Sequence, residues 1–331
     1  NTDKSYVMMF DFHPNSDTYL RGMHDWMSHN GEWPWLQTIM VTPAAGNRVG
    51  ILFDETGKTT PLLDFFEEKL FPEVEKRYRT NGFKIMSGFR GNGTLVLSTL
   101  INKPDMFNAY ITISPELKND HAGILSTASK KLAKHNDKPR FLLFSHGTNI
   151  KEAHQMASYS QLNAILKKHA PSNLDWHYKH FDSNYFMSLP LLSVIMGIEK
   201  IFDDIHNGLA PESEVSQKGV EAIIQHYKYL SQQKYGFEVS PKNSINALGF
   251  YLLNSSQQEG LKVFTEMVQR YPKDAYSHHH LANAHAKLGD YESAVKHQKD
   301  AVKLADNMLT WHKKRHRRFL EDYLSKNNAS E

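Results

Sequence analysis

The chain has 331 residues, 40% of them hydrophobic and 23% charged, which gives room for two folded domains and excludes intrinsic disorder. A formal net charge of only +3 points to no nucleic-acid partner, although the 19 histidines add positive charge in mild acid. With no cysteine, disulfides, thiolate nucleophiles and thiolate metal sites are ruled out. No apolar run approaches the roughly 18 to 20 residues of a membrane helix, so no membrane partner is expected. The reading is of a soluble protein of cytoplasm or periplasm, the choice left open.

From the N-terminus, short β-rich runs alternate with longer helical patterns. Strands are predicted at residues 6–10, 38–42, 84–86, 109–113, 141–144 and 175–180, several of them nearly all apolar. That pattern suits parallel strands covered on both faces. Helices are predicted at 19–28, 62–78, 93–101, 124–135, 153–168 and 191–205. In the second of these, Pro61 fits a first-turn proline and Pro72 predicts a break or kink. This rhythm implies an α/β fold, a doubly wound and mostly parallel sheet with functional loops at the carboxyl ends of the strands.

GLAPESE, residues 208–214, reads as a linker, which divides the chain into domains at 1–207 and 208–331. The remainder is all-helical, with segments predicted at 216–235, 244–253, 258–271, 275–288, 291–304 and 309–324. Leu248 matches Leu281, Tyr251 matches Ala284 and Leu261 matches Ala294 in a repeating pattern. Ala282, Ala284, Ala286, Gly289 and Ala294 give this part a tetratricopeptide-like character. Such repeats need neighbours to bury their apolar faces, so a protein partner or self-association is expected.

The chemistry concentrates at SGFRGNGTLVL, from Ser87 to Leu97. A strand enters the glycines and an apolar helix leaves them, as in a G-x-S-x-G nucleophile elbow. Arg90 stands where the serine would be and Asn92 where the second glycine would be. No G-x-x-x-x-G-K-[ST] loop is present, and His278-His279-His280 cannot converge on one ion from successive helical positions. No metal and no cofactor are expected. The basic run from Lys313 to Arg318 reads as the solvated face of a terminal helix whose other face packs through Trp311, Phe319, Tyr323 and Leu324.

The stretch from Tyr78 to Leu117 resembles the esterase family of α/β-hydrolases that includes the siderophore ester hydrolases. It shares with them the strand-turn-helix and a following strand of the form P-x-x-F-x-A-Y-x-x-I-S-P, here starting at Pro104. The resemblance covers most of the first 207 residues and implies an α/β-hydrolase core, an ester hydrolase activity and no metal. It also implies strands ahead of residues 6–10 that this sequence does not include. Carried onto this sequence, the nucleophile position is Arg90. The histidine of an H-x-S-x-P pattern is Phe186, and the acid position is Asn149 with Glu152 one turn on. Arginine cannot attack an acyl carbon, phenylalanine cannot take a proton, and asparagine cannot balance an imidazolium. The family's Asp-Gly turn is matched by Asp11 but not by Phe12.

Three readings stand at this point. One is an esterase homologue without hydrolytic residues, binding a small ester or an anion through Arg90, Gly91, Asn92, Asp11 and Phe12. Within it, the plainer role for Arg90 is an ion pair with Glu116 or Asp182. Another is a working esterase with displaced groups such as Ser87, Glu152 or His180. The last is a protein whose helical repeats do the binding.

Overall fold

A computed structural model describes residues 4–29, 34–43 and 52–329. Two compact units emerge. The first comprises residues up to His206 together with Tyr229–Glu238, and the second comprises Asn207–Lys228 with the residues from Val239 onward. A single cut after residue 207 therefore does not describe the division. Residues 229–238 return to the first unit because Tyr235 is buried there, its hydroxyl donating to the Ile201 carbonyl at 2.7 Å. Its ring lies 5.6 Å from that of Phe83.

Six strands form the sheet of the first unit: β1 (Tyr6–Asp11), β2 (Thr38–Val41), β3 (Thr80–Phe89), β4 (Ala109–Ile113), β5 (Arg140–Gly147) and β6 (Leu174–Phe181). All pairings are parallel and the order is β2-β1-β3-β4-β5-β6. The chain reverses its winding between β1 and β3, which places a crevice at their carboxyl ends. Every residue of β4 and β5 is buried. In β6, at the sheet edge, Asp175, His177 and Lys179 break up the apolar surface, which guards an edge against stray pairing.

The strand β3 runs longer than its apolar run suggests. Thr80-Asn81-Gly82 has the composition of a turn, yet it continues the strand through a register shift against Tyr6 and Met8. Gly82 takes φ +85° there, the conformation a bulge requires.

Among the described residues, helices α1 (Ser16–His29), α2 (Thr60–Phe65), α3 (Phe71–Arg77), α4 (Gly91–Asn102), α5 (Ile124–Leu132), α6 (Met156–His169) and α7 (Leu189–Ile201) accompany the sheet. The break foreseen at Pro72 takes a specific form. A π-helical turn over Phe66–Leu70 separates α2 from α3, and Pro72 sits in the first turn of α3. Proline has no N–H to donate to the preceding turn, so the ladder is interrupted where it can be reset. The helix α4 is buried along nearly its whole length, which is why it reads as continuously apolar.

Short helices α8 (Asp203–His206) and α9 (Glu214–Gln217) are followed by α10 (Val220–Tyr229), α11 (Lys242–Ser255), α12 (Gln257–Arg270), α13 (Ala275–Lys287), α14 (Tyr291–Leu304) and α15 (Thr310–Asn328). The pairs α11–α12 and α13–α14 follow one another at roughly the 34-residue period of tetratricopeptide repeats. Ala282, Ala284 and Ala294 are fully buried, and Gly289 turns the chain at φ +81°. On α15, Phe319, Tyr323 and Leu324 pack inward as expected. Trp311 does not: it is 52% exposed and stacks on His312 instead. Among the described residues no helix is long and apolar enough to cross a membrane.

Candidate functional site

At the carboxyl end of β3 stands one residue of unusual backbone. Arg90 bridges β3 and α4 with φ 58° and ψ −122°. That region favours glycine and costs a residue with a Cβ on the order of 1–3 kcal/mol. The turn is forced by its neighbours. A Cβ on Gly88 would lie 2.4 Å from the Asn92 carbonyl oxygen, and one on Gly93 would lie 2.9 Å from that of Ile113. Only hydrogen fits at either position, so the glycine spacing read from the sequence is a steric requirement of the corner.

The Arg90 side chain is half-exposed but engaged. Its Nε and Nη2 donate to Glu116 Oε1 at 3.0 and 2.8 Å, and its guanidinium carbon lies 6.0 Å from the centre of the Phe186 ring. The Glu116 backbone is held by Thr94, in the first turn of α4, whose hydroxyl accepts from Glu116 N at 2.9 Å. Gln155 Oε1 fixes the next two amides, Leu117 and Lys118, at 2.9 Å each. The acid is thus carried to the arginine by the segment leaving β4. Of the two partners expected for Arg90, Glu116 is the one engaged, while Asp182 pairs with His180 at 3.4 Å.

Phe186 begins a 3-10 turn after β6 and is buried, its ring 4.9 Å from that of Phe89. The structure therefore brings Arg90 and Phe186 together. Asn149 lies in the loop after β5, where its Oδ1 accepts from Lys151 N at 3.0 Å and its carbonyl from Glu152 N at 2.8 Å. Lys151 from the same loop reaches the Phe186 ring at 5.8 Å. Asn149 itself is spent on its own turn.

The remaining candidates separate. Asp11 is fully buried, and its carboxylate accepts from Ser87 Oγ at 2.5 Å and His13 N at 2.9 Å. Burial pushes its pKa up to about 6, with the Ser87 hydrogen bond opposing. Asp11 thus has no open face for a ligand, and Ser87 serves a carboxylate rather than a histidine. Phe12 stacks on Phe66 at 4.7 Å. Gly91 and Asn92 are buried at the head of α4, and Asn92 Oδ1 has no hydrogen-bond partner. Glu152 is buried with both oxygens 3.2 Å from Gly147 N.

His180 is exposed near the end of β6, with its ring 4.6 Å from His146. His146 is buried and shares a 2.5 Å hydrogen bond with the Tyr178 hydroxyl. Burial holds its pKa below the ordinary histidine value. Tyr159 packs on His146 at 4.5 Å, and burial raises its hydroxyl pKa, with Glu152 and Glu116 adding to the shift. Tyr159 was not legible from sequence, since it sits in an apolar helical stripe like any core residue. Ser28, His29 and Asp25 do meet on α1, but hydroxyl and carboxylate both approach the same ring nitrogen. That arrangement cannot relay a proton.

Among solved structures, the chain is similar to an uncharacterised protein from Capnocytophaga ochracea, with TM-score 0.66 and 18% identity over 98% of this chain and 92% of that one. It is also similar to an IroE-like serine hydrolase from Shewanella oneidensis, with TM-score 0.57 and 17% identity over 81% and 90%. A siderophore hydrolase, EstB from Aspergillus nidulans, matches at TM-score 0.50 and 18% identity over 62% and 83%. The first unit has the α/β-hydrolase fold. At these identities the likeness is one of fold alone. No protein-family model and no curated protein matches the sequence. The corner between β3 and α4, with Arg90 between strand and helix, is the strand-turn-helix that the sequence aligns with a nucleophile elbow.

Proposed function

We propose that this chain is an esterase-fold protein that binds without hydrolysing, its three hydrolytic positions taken by Arg90, Phe186 and Asn149. The observation that carries this reading is the side chain at the elbow tip: a guanidinium, paired with Glu116 and facing a phenylalanine ring. Protonated at any ordinary pH, it cannot attack an acyl carbon, and the Glu116 carboxylate beside it is engaged as its ion-pair partner. Near the corner the loops after β5 and β6 expose Ile150, Tyr185 and Met187. Apolar surface beside a fixed ion pair suits a small amphipathic ligand, such as an ester or a carboxylate-bearing molecule. An anion would have to compete with Glu116 for Arg90. The helix pairs of the second unit support a tetratricopeptide-like role in holding a protein partner or a second copy.

The test is hydrolysis of short activated esters by the full chain, beside its Ser87→Ala and Arg90→Ser/Phe186→His variants. The proposal expects the unmodified chain to match the buffer rate and Ser87→Ala to change nothing. Turnover by the unmodified chain that disappears when a serine is replaced would overturn it. Any hydrolysis gained only by the double variant would support the positional reading of the elbow.

A further inference from the structure

The second unit gathers a set of metal-ligating groups that the elbow chemistry does not use. The histidine triplet on α13 fans out as helical geometry demands. His279 Nδ1 is tied to Gln298 Oε1 at 2.9 Å, while His280 lies against Phe250 and Phe264. His278 turns toward another part of α14, where His297 and Asp300 stand three positions apart on one face. One ligating atom from each of His278, His297 and Asp300 lies within 4.8 Å of the other two.

The hydrogen bonding of His278 is already that of a ligand. Its Nε2 lies 3.0 Å from the Pro272 carbonyl, which can only accept, so Nε2 carries the proton. The lone pair of the neutral ring is then on Nδ1. That atom is buried without a hydrogen-bond partner, and the residue is only 9% exposed. Asp300 Oδ2 is 3.8 Å from it. A buried nitrogen with no partner is costly on its own terms. A backbone carbonyl on the opposite ring nitrogen is the arrangement that fixes the tautomer of a metal-bound histidine. His297 Nδ1 is likewise buried and unpartnered. His285, stacked on His297 at 5.6 Å, is held aside by Asp290.

We propose that His278, His297 and Asp300 form a site for a borderline divalent cation, zinc by preference, which clasps α13 to α14. Two imidazoles and one carboxylate match zinc better than magnesium or calcium, which take oxygen donors. Zinc–ligand bonds of about 2.1 Å place tetrahedral ligands about 3.4 Å apart, so ligand atoms now within 4.8 Å of one another draw together as the site fills, Asp300 being its exposed member. The fourth position is left to water or to a donor from outside.

The experiment is zinc competition between the full chain and a chromophoric chelator, run on the unmodified protein and on Asp300→Asn and His297→Gln. Asp300 is exposed, so its variant keeps the fold, and circular dichroism checks both. The expected result is one zinc per chain, with affinity at least tenfold weaker in each variant and undisturbed by excess magnesium. No zinc uptake, equal affinity in all three proteins, or displacement by magnesium would each overturn the proposal.

Discussion

Arg90 holds a backbone conformation that few arginines adopt, φ 58° and ψ −122°. Its side chain recovers little of that cost, because a half-exposed ion pair such as Arg90–Glu116 contributes about 0–1 kcal/mol. Glycine takes this conformation without strain, at an entropic cost of about 0.5–1 kcal/mol. Arg90→Gly is therefore expected to stabilise the protein by about 1 kcal/mol in urea unfolding. A loss of that size instead would mean that the arginine, and not the turn, holds the corner together. Asp11 supplies a pH signature. Its folded pKa of about 6 lies above its ordinary 3.8, so the folded state holds the proton more tightly. The stabilisation is fully present below about pH 3.8 and is lost as pH rises through about 6. At about 1.4 kcal/mol per unit this amounts to at most on the order of 3 kcal/mol. Asp11→Asn should remove that slope from the pH dependence of first-unit unfolding, and parallel curves for the two proteins would contradict the assignment.

At the scale of elements, the sequence was readable where a single physical signal governs and obscure where two compete. The strand β4 and residues 141–144 of β5 are apolar runs broken only by Thr112, and both strands are interior to the sheet. The tight corner after β3 was legible because steric crowding leaves only glycine at 88 and 93. By contrast, Thr80-Asn81-Gly82 reads as a turn, and pairing with β1 overrides that preference. Trp311 reads as a packing residue by type, yet its position on α15 faces outward. The roles of Asp11 and Ser87 were hidden for another reason. Their pairing links β1 to β3 across 76 positions of chain, and no local pattern encodes it. The same holds for His278, whose neighbours across α14 decide its chemistry while its own histidine triplet misleads.

For the molecule as a whole, two units of different construction share one chain. The first is an α/β-hydrolase fold in which Arg90, at the corner between β3 and α4, is paired with Glu116. The second is a set of helix pairs with its own buried histidines. The central claim is that no serine in this hydrolase fold is a nucleophile. Covalent labelling tests it most directly: the full chain is incubated with a fluorophosphonate that captures activated serines, and its intact mass is measured. The account predicts an unchanged mass. A single phosphonyl adduct, mapped to one serine and abolished by its replacement with alanine, would contradict it.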